Sequence, residues 1–382
     1  MAETPPVTPP PDASATPPPP QPPLRRGGPL AAVTGAVLVG CLILLAAVTL
    51  GGRIIDDPPA LLIAGVTFLP YLYAALTAVA FAVWCVWPDR RSPAIASAGT
   101  VVLGAVLWGP SWPARGEIAD GTPLRIMEWN VQRLWGVEDD TDKSLRCVVD
   151  VVQSAEPDAM VLLEVSQEDV RTLEARLDAH CAHTDYRGTR RPDVGGIAVC
   201  TRGGDWQLKR GTGQRYVDSD DWHYLFTEVQ YGSDVVNILG VHLYPYRFGD
   251  SARQLLRGDA GSIAEMGRAG TEVSRAQGAH TAALQQRVER FRDPTIMAGD
   301  FNSTRDAALH THLRRHMTDA WERGGRGMGT TIRVADVVPL RIDYTYVTPQ
   351  LAVETSEVID AECSDHQPVV TQLSLRAPPA VP

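Results

Sequence analysis

No two of the six cysteines are spaced as Cys-x-x-Cys, which excludes a zinc knot or a thioredoxin-like redox site. Positive charge is also short. The chain has 35 Lys and Arg against 45 Asp and Glu, a formal net charge of −10, so it does not draw polyanions from a distance. The first 28 residues have almost no large apolar side chain, and 11 of them are proline. Such a segment cannot bury enough surface to offset its ordering entropy, which predicts a disordered, polyproline-like tail over 1–28. A proline-rich ligand for a partner domain is the functional alternative, and the sequence implies no specific protein partner.

Charge is absent again from Pro29 to Gly51, a run long enough to cross a bilayer. Apolar runs from Pro59 to Trp87 and from Ala94 to Trp108 follow. A secretory signal is the alternative for the first run, but it is longer than a usual signal core and two more runs come after it. Three transmembrane helices are therefore expected within 29–112. Arg25 and Arg26 precede the first, Arg90 and Arg91 separate the second from the third, and Asp56 and Asp57 lie between the first two. That pattern predicts a multi-pass protein of the cell membrane with a cytoplasmic N-terminus and an extracytoplasmic domain over 113–382. Residues 1–111 hold five Arg and five acidic residues, so the negative excess falls on the soluble part, which is large enough for one substantial domain.

Cys41 and Cys85 fall in the apolar runs and read as small buried thiols. Cys147, Cys181, Cys200 and Cys363 lie in the soluble part, an even number suited to an oxidising compartment. Their three possible connectivities are not separable from sequence. Pairing Cys147 with Cys181 and Cys200 with Cys363 is one of them, and buried free thiols are the alternative for the last two.

Periodicity outlines the soluble part. Leu124–Asn130, Ala159–Glu164, Gly196–Thr201, Leu225–Gln230, Val235–Leu243, Thr295–Ala298, Arg341–Val347 and Pro368–Leu375 read as strands. Leu145, Val148, Val149 and Val152 mark one helix, and Ser166 with Asp169 caps a second. Residues 251–291 are mainly helical, although Gly258, Gly261, Gly267 and Gly270 weaken the first half enough to allow a loop or flap. Many strands separated by a few helices predict a two-sheet core with helices outside.

A polar motif ends each of several apolar runs: Asn130 in LRIMEWN, Glu164 in AMVLLEV and His242 in VNILGVHL. Asp300 and Asn302 follow in TIMAGDFN, Asp343 in RIDYTYV, and Asp365 with His366 in SDHQPVV. Strands deliver these groups to one rim, and their types suit phosphoester hydrolysis, which needs a water nucleophile, neutralised phosphoryl oxygens and a protonated or metal-bound leaving oxygen. Magnesium takes hard oxygen ligands and few protein carboxylates, and Glu164 is the best candidate for one of them. Asp365 and His366 are adjacent in an extended segment and point to opposite sides, so Asp343 is the better partner for His366. His310, His312 and His316 can be read as zinc ligands or as a solvated helix face, and the second reading is favoured.

From about Leu124 to Leu375 the chain resembles the endonuclease/exonuclease/phosphatase superfamily, the fold of DNase I, neutral sphingomyelinases and inositol polyphosphate phosphatases. GDFN and SDHQPV are the sharp motifs. The resemblance implies an α/β (α+β) four-layer sandwich of two packed, mainly antiparallel sheets flanked by helices. It implies Mg²⁺, with Mn²⁺ as the alternative, near Asn130, Glu164 and Asp365. His366, fixed by Asp343, becomes general base or phosphate stabiliser. Asp300 orients or deprotonates the water, Asn302 bonds a phosphoryl oxygen, and His242 binds phosphate or acts as acid. Two departures stand out. Glu128 shares the strand face of Asn130 where the family has a small or hydroxyl residue; it can enlarge the metal site or bind a nearby Arg, the latter being favoured. The Tyr and Arg residues that some nucleases use on DNA have no counterpart.

The expected function is a membrane-anchored, Mg²⁺-dependent phosphoester (phosphodiester) hydrolase acting outside the cytoplasm. Its substrate would be nucleic acid, a phospholipid head group or a small phosphodiester, and the bilayer its other partner. The alternative is a membrane module that binds a phosphorylated ligand without hydrolysing it.

Overall fold

The computed structural model describes residues 29–55, 60–88, 91–108, 116–117, 120–134, 136, 140–189, 195–218, 222–245, 261–334 and 337–376. The proline-rich tail over 1–28 lies outside the described residues.

Four helices precede the catalytic part: α1 (Pro29–Ile54), α2 (Ala60–Thr67), α3 (Leu69–Val86) and α4 (Arg91–Trp108). The second apolar run divides at Phe68, where Pro70 opens the first turn of α3. Only α1 and α3 combine the length and apolarity needed to cross a membrane, among the described residues. The expected three transmembrane helices are thus corrected to two candidates. The third run is helical, but Arg91, Ser92, Ser97 and Thr100 dilute its apolar character. It packs beside the others all the same: Leu38, Ala80 and Ala96 form one cluster, and Leu103 meets Val66, Leu69 and Tyr73 at the other end. Arg91 therefore lies at the opposite end of the bundle from Arg53.

One six-stranded sheet runs β13 (Leu351–Val358), β14 (Val369–Leu375), β1 (Pro123–Asn130), β2 (Ala159–Val165), β4 (Gly196–Arg202) and β3 (Ala179–Thr189). The other runs β5 (Gln207–Arg215), β6 (His223–Tyr231), β7 (Asp234–His242), β8 (Thr295–Asp300), β12 (Asp343–Val347) and β9 (Thr318–Asp319). A separate hairpin pairs β10 (Ile332–Val334) with β11 (Val338–Leu340). All the pairings are antiparallel except β1 with β2 and β7 with β8.

Alternation along β1 sets the layers. Leu124 and Ile126 enter the core between the sheets, while Met127 and Trp129 face the helix layer. Helix α5 (Thr141–Ala155) lays Leu145, Val148 and Val152 on that outer face, and α6 (Gln167–Leu177) adds Val170 and Leu173. The side chain of Asp140 caps α5, and Ser166 and Asp169 form a reciprocal capping box on α6. Leu284 and Val288 of α7 (Gly261–Val288), with Leu309 and Leu313 of α8 (Ala308–Leu313), join the other core. The weak first half of the 251–291 segment is helical from Gly261 on, and 251–260 lies outside the described residues. A short helix, α9 (Ala320–Gly324), follows β9. Gly240 marks one close approach of the two sheets, because a Cβ there would meet the Ile197 side chain at 2.6 Å.

Disulfides join Cys147 to Cys363 and Cys181 to Cys200. This corrects the pairing of Cys147 with Cys181. Cys181 and Cys200 are direct neighbours across β3 and β4, and Cys147 on α5 reaches the loop before β14.

Candidate active site

Strand ends carry the catalytic groups to one rim. His242 ends β7, Asp300 ends β8 and Asp343 opens β12, with His242 paired to Asp300 and Asp300 to Asp343 in register. In the facing sheet Asn130 ends β1 and Glu164 lies one residue from the end of β2. The GDFN turn depends on its glycine. Gly299 has φ 142°, and a Cβ would fall 2.0 Å from the Val241 carbonyl oxygen. Glu164, at φ 58°, sits at a register shift between β2 and β4, and Asn302 has φ 47°. Non-glycine residues in this left-handed region cost about 1–3 kcal/mol each and concentrate at functional sites.

Two groups of residues form the site. In the floor, His366 Nδ1 lies 2.9 Å from Asp343 Oδ2, and its Nε2 lies 3.9 Å from Asp300 Oδ2. His242 Nε2 approaches the same Asp300 oxygen to 3.5 Å. The backbone N–H of Asn302 donates to Asp300 Oδ1 at 2.7 Å, while the Asn302 side chain donates to the Leu243 carbonyl. At the rim, Asn130 Nδ2 spans Glu164 Oε1 and Asp300 Oδ2, both at 3.3 Å. Asp365 is exposed, its backbone N–H donating to Gln132 Oε1. All eight expected site residues thus come together, with His366 bonded to Asp343 rather than to its neighbour Asp365.

Electrostatics separate the two histidines. Burial pulls His366 down, but the Asp343 carboxylate, helped by Asp300 and Asp365, outweighs it and raises the imidazole to about 10. His242 gains no such support: burial, then the charge on His366, lowers it to about 3. Burial and Asp343 push Asp300 up. Glu128 is the extreme case, wholly buried with neither carboxylate oxygen hydrogen-bonded. Burial, Asp343 and Asp300 raise it well above the usual range. The favoured arginine partner for Glu128 is therefore corrected: the strand points it inward beneath Asn130, where acids and not arginines surround it. An ionised carboxylate left unpaired in such a place would cost several kcal/mol, so Glu128 stays protonated.

Crowded carboxylates, hard oxygen donors and one strained glutamate suit a divalent cation. Asp300, Asp343 and His366 have ligand atoms within 4.8 Å of one another. The direct bond between Asp343 and His366, however, already satisfies that pair. Glu164, with its side chain 26% exposed, is the carboxylate better able to meet a hydrated ion.

Several contributors carry no readable signal in the sequence. The Tyr186 hydroxyl accepts the Glu164 backbone N–H at 2.7 Å, and its ring stacks on Trp222 and meets the His242 ring edge-on. Arg133 lies in a left-handed run from Gln132 to Leu134 and brings its Nε within 3.9 Å of Glu164. The solvated-face reading of the histidine cluster fails for His310. That residue is fully buried, with Nδ1 2.8 Å from the Tyr346 hydroxyl and Nε2 3.0 Å from Ser303 Oγ, whereas His316 is exposed.

Comparison with known proteins agrees with this architecture. An endonuclease/exonuclease/phosphatase structure from Bacteroides vulgatus covers 67% of this chain and 100% of its own, at 16% identity and TM-score 0.52. A mannosyl-6-phosphatase from Bacteroides thetaiotaomicron covers 66% and 100%, at 14% identity and TM-score 0.50. A functionally unknown conserved protein from Enterococcus faecalis covers 66% and 100%, at 16% identity and TM-score 0.50. No curated protein matches the chain. The model of the endonuclease/exonuclease/phosphatase family matches residues 127–366, more than half of the chain, with Asn130 near one end of the match and His366 at the other. The chain belongs to the endonuclease/exonuclease/phosphatase family and is a metal-dependent phosphoester hydrolase of that type.

Proposed function

We propose that this protein is a membrane-anchored, Mg²⁺-dependent phosphodiesterase whose catalytic domain, 113–382, works outside the cytoplasm. One observation carries the chemistry: a buried Asp343–His366 pair beside Asp300, under a rim bearing Asn130, Glu164 and Asp365. Asn130, Glu164 and Asp365 would hold the ion. When bound, it supplies Lewis-acid neutralisation of the phosphoryl and leaving oxygens. Asp300, fixed by the Asn302 backbone and Asn130, orients the attacking water and accepts its proton. His366, kept as an imidazolium by Asp343, neutralises phosphoryl charge. Asn302 bonds a phosphoryl oxygen, and His242, held by its ring contacts, lines the phosphate pocket. A module that only binds phosphorylated ligands would need no such coupling of acid–base and metal-suited groups.

Location rests on sulfur and on the placement of the helices. Two disulfides suit an oxidising compartment. The catalytic domain also meets the bundle at its Arg53 end, away from Arg91, which fits the cytoplasmic preference of arginine near Arg91. The test uses the full chain in detergent with a panel of phosphodiesters and phosphomonoesters, with and without Mg²⁺. Release of product only with the metal supports the reading, and turnover of nothing in the panel overturns it.

A further inference from the structure

The loops that bear the catalytic groups are also the loops that touch the membrane helices. Downstream of Asn302, the Thr304 hydroxyl donates to the Val66 carbonyl of α2 at 3.5 Å, and the buried Asp306 accepts Arg53 Nε of α1 at 3.0 Å. Beside His366, the β10–β11 hairpin leaves the rim directly. Ile332 bridges His366, the Thr331 carbonyl accepts the Gln367 N–H at 2.7 Å, and Thr331 Oγ1 accepts the Asp343 N–H at 3.3 Å. The far strand of that hairpin meets α3, where the Tyr71 hydroxyl donates to the Pro339 carbonyl. The active-site rim thus faces the end of a candidate membrane span.

Two large apolar side chains of the domain are exposed on the segments that follow. Val337 is 74% exposed and Met328 is 58% exposed. Met328 closes one end of a groove of about 620 Å³ between α3 and α4, lined by Pro70, Tyr73, Thr77, Thr100 and Gly104. The groove hydroxyls are used internally, Thr77 donating to Thr100 at 2.6 Å and Thr100 to the Ala96 carbonyl at 3.0 Å. Ser97 apart, the rest of the lining is largely apolar, with Ala74, Ala78, Phe81 and Val101. Elsewhere α3 presents Leu72, Val79 and Val86 outward, as a lipid-facing helix does.

We propose that the substrate is a phosphoester carried by a membrane lipid, whose chain lies in the α3–α4 groove while its head group reaches His366 and Asp300 past Met328 and the β10–β11 hairpin. The proposal rests on the phosphoesterase reading above and narrows its substrate class. The contacts that tie the loop after Asn302 and the β10–β11 hairpin to α1, α2 and α3 hold the site beside the membrane helices, where such a substrate lies.

The test places the full chain in vesicles of phosphatidylglycerol and phosphatidylethanolamine and measures released head group. In parallel, bis(p-nitrophenyl) phosphate serves as a water-soluble probe. Wild type is expected to cleave both. Met328→Asp, Val337→Asp and Gly104→Leu should each lose at least tenfold on the vesicles while staying within twofold on the soluble probe. None of these residues touches the reacting atoms, and the soluble probe reports whether each variant is folded. Cleavage of the soluble probe but not the lipid overturns the lipid proposal and spares the phosphoesterase reading. Equal loss on both probes, or no loss on either, also overturns it. Failure of wild type on both probes overturns the proposal together with the reading it rests on.

Discussion

At the rim of the site Asp365 is exposed and Glu164 half-buried, whereas Asp300, Asp343 and His366 in the floor are at most 6% exposed. Both regions are acidic, yet they handle charge differently. Burial raises Glu164 above the usual carboxylate range, so a hard cation at the rim would supply the opposite charge that favours its ionised form. The carboxylates of the floor are stabilised only by partners, and here those partners are histidines and backbone N–H groups. The rim is suited to an exchangeable ion and the floor to protons, and substitutions should separate the two.

The largest effect should come from the floor. His366→Ala should lower turnover on a soluble phosphodiester by a hundredfold or more, typical of losing a group that meets charge in the transition state. The affinity for Mg²⁺, read by calorimetry, should stay within a few-fold. Asp343→Asn should act in the same direction and more mildly, because it loses the charge and orientation that hold His366 and not the imidazole itself. A larger loss than that of His366→Ala would contradict a role for Asp343 exerted only through His366.

Much of this division was legible in the sequence. Strand-end motifs pointed to eight candidate residues that the fold brings together, because β-strands place their final side chains at one sheet edge, and the adjacency of Asp365 and His366 argued against their pairing. Less legible were features set by tertiary packing. Strand β5 escaped because its polar, exposed residues show no apolar alternation, and β3 because its Ala-His-Cys-Ala-His run reads as neither period. Tyr186 reaches the site across several strands, a distance no local pattern encodes. The cysteine pairing followed from β3–β4 register, and the buried state of His310 from its bonds to Tyr346 and Ser303.

His310 sharpens the comparison because it is a buried base with no acid beside it. Burial, reinforced by Arg314 and Arg341, lowers it well below its usual value. The folded state therefore binds fewer protons than the unfolded chain below pH about 6.5. Its contribution is intact above that pH and lost as pH falls, by up to about 1.4 kcal/mol per pH unit. Denaturant unfolding at pH 7.5 and 5.5 should show a smaller acid loss for His310→Gln than for wild type. Equal losses would contradict a neutral buried imidazole.

Glu128 should give the smallest effect. It is protonated in the folded state and ionised when unfolded near neutral pH, so folding binds a proton and its contribution to stability weakens as pH rises from the ordinary glutamate range toward its raised folded value. Glu128→Gln should thus keep turnover within about threefold, by analogy with other isosteric core changes. Its melting temperature should gain more at pH 8 than at pH 5. A tenfold loss of turnover would make Glu128 part of the reacting machinery.

Rate against Mg²⁺ concentration, measured for wild type, Glu164→Gln and His366→Ala on one soluble phosphodiester, tests the central division most directly. Glu164→Gln should shift the half-saturating Mg²⁺ upward at least tenfold and recover much of its rate at saturation, whereas His366→Ala should keep the wild-type midpoint at a depressed plateau. A wild-type midpoint for Glu164→Gln, or a plateau restored by excess metal for His366→Ala, would contradict the assignment of ion to rim and proton chemistry to floor.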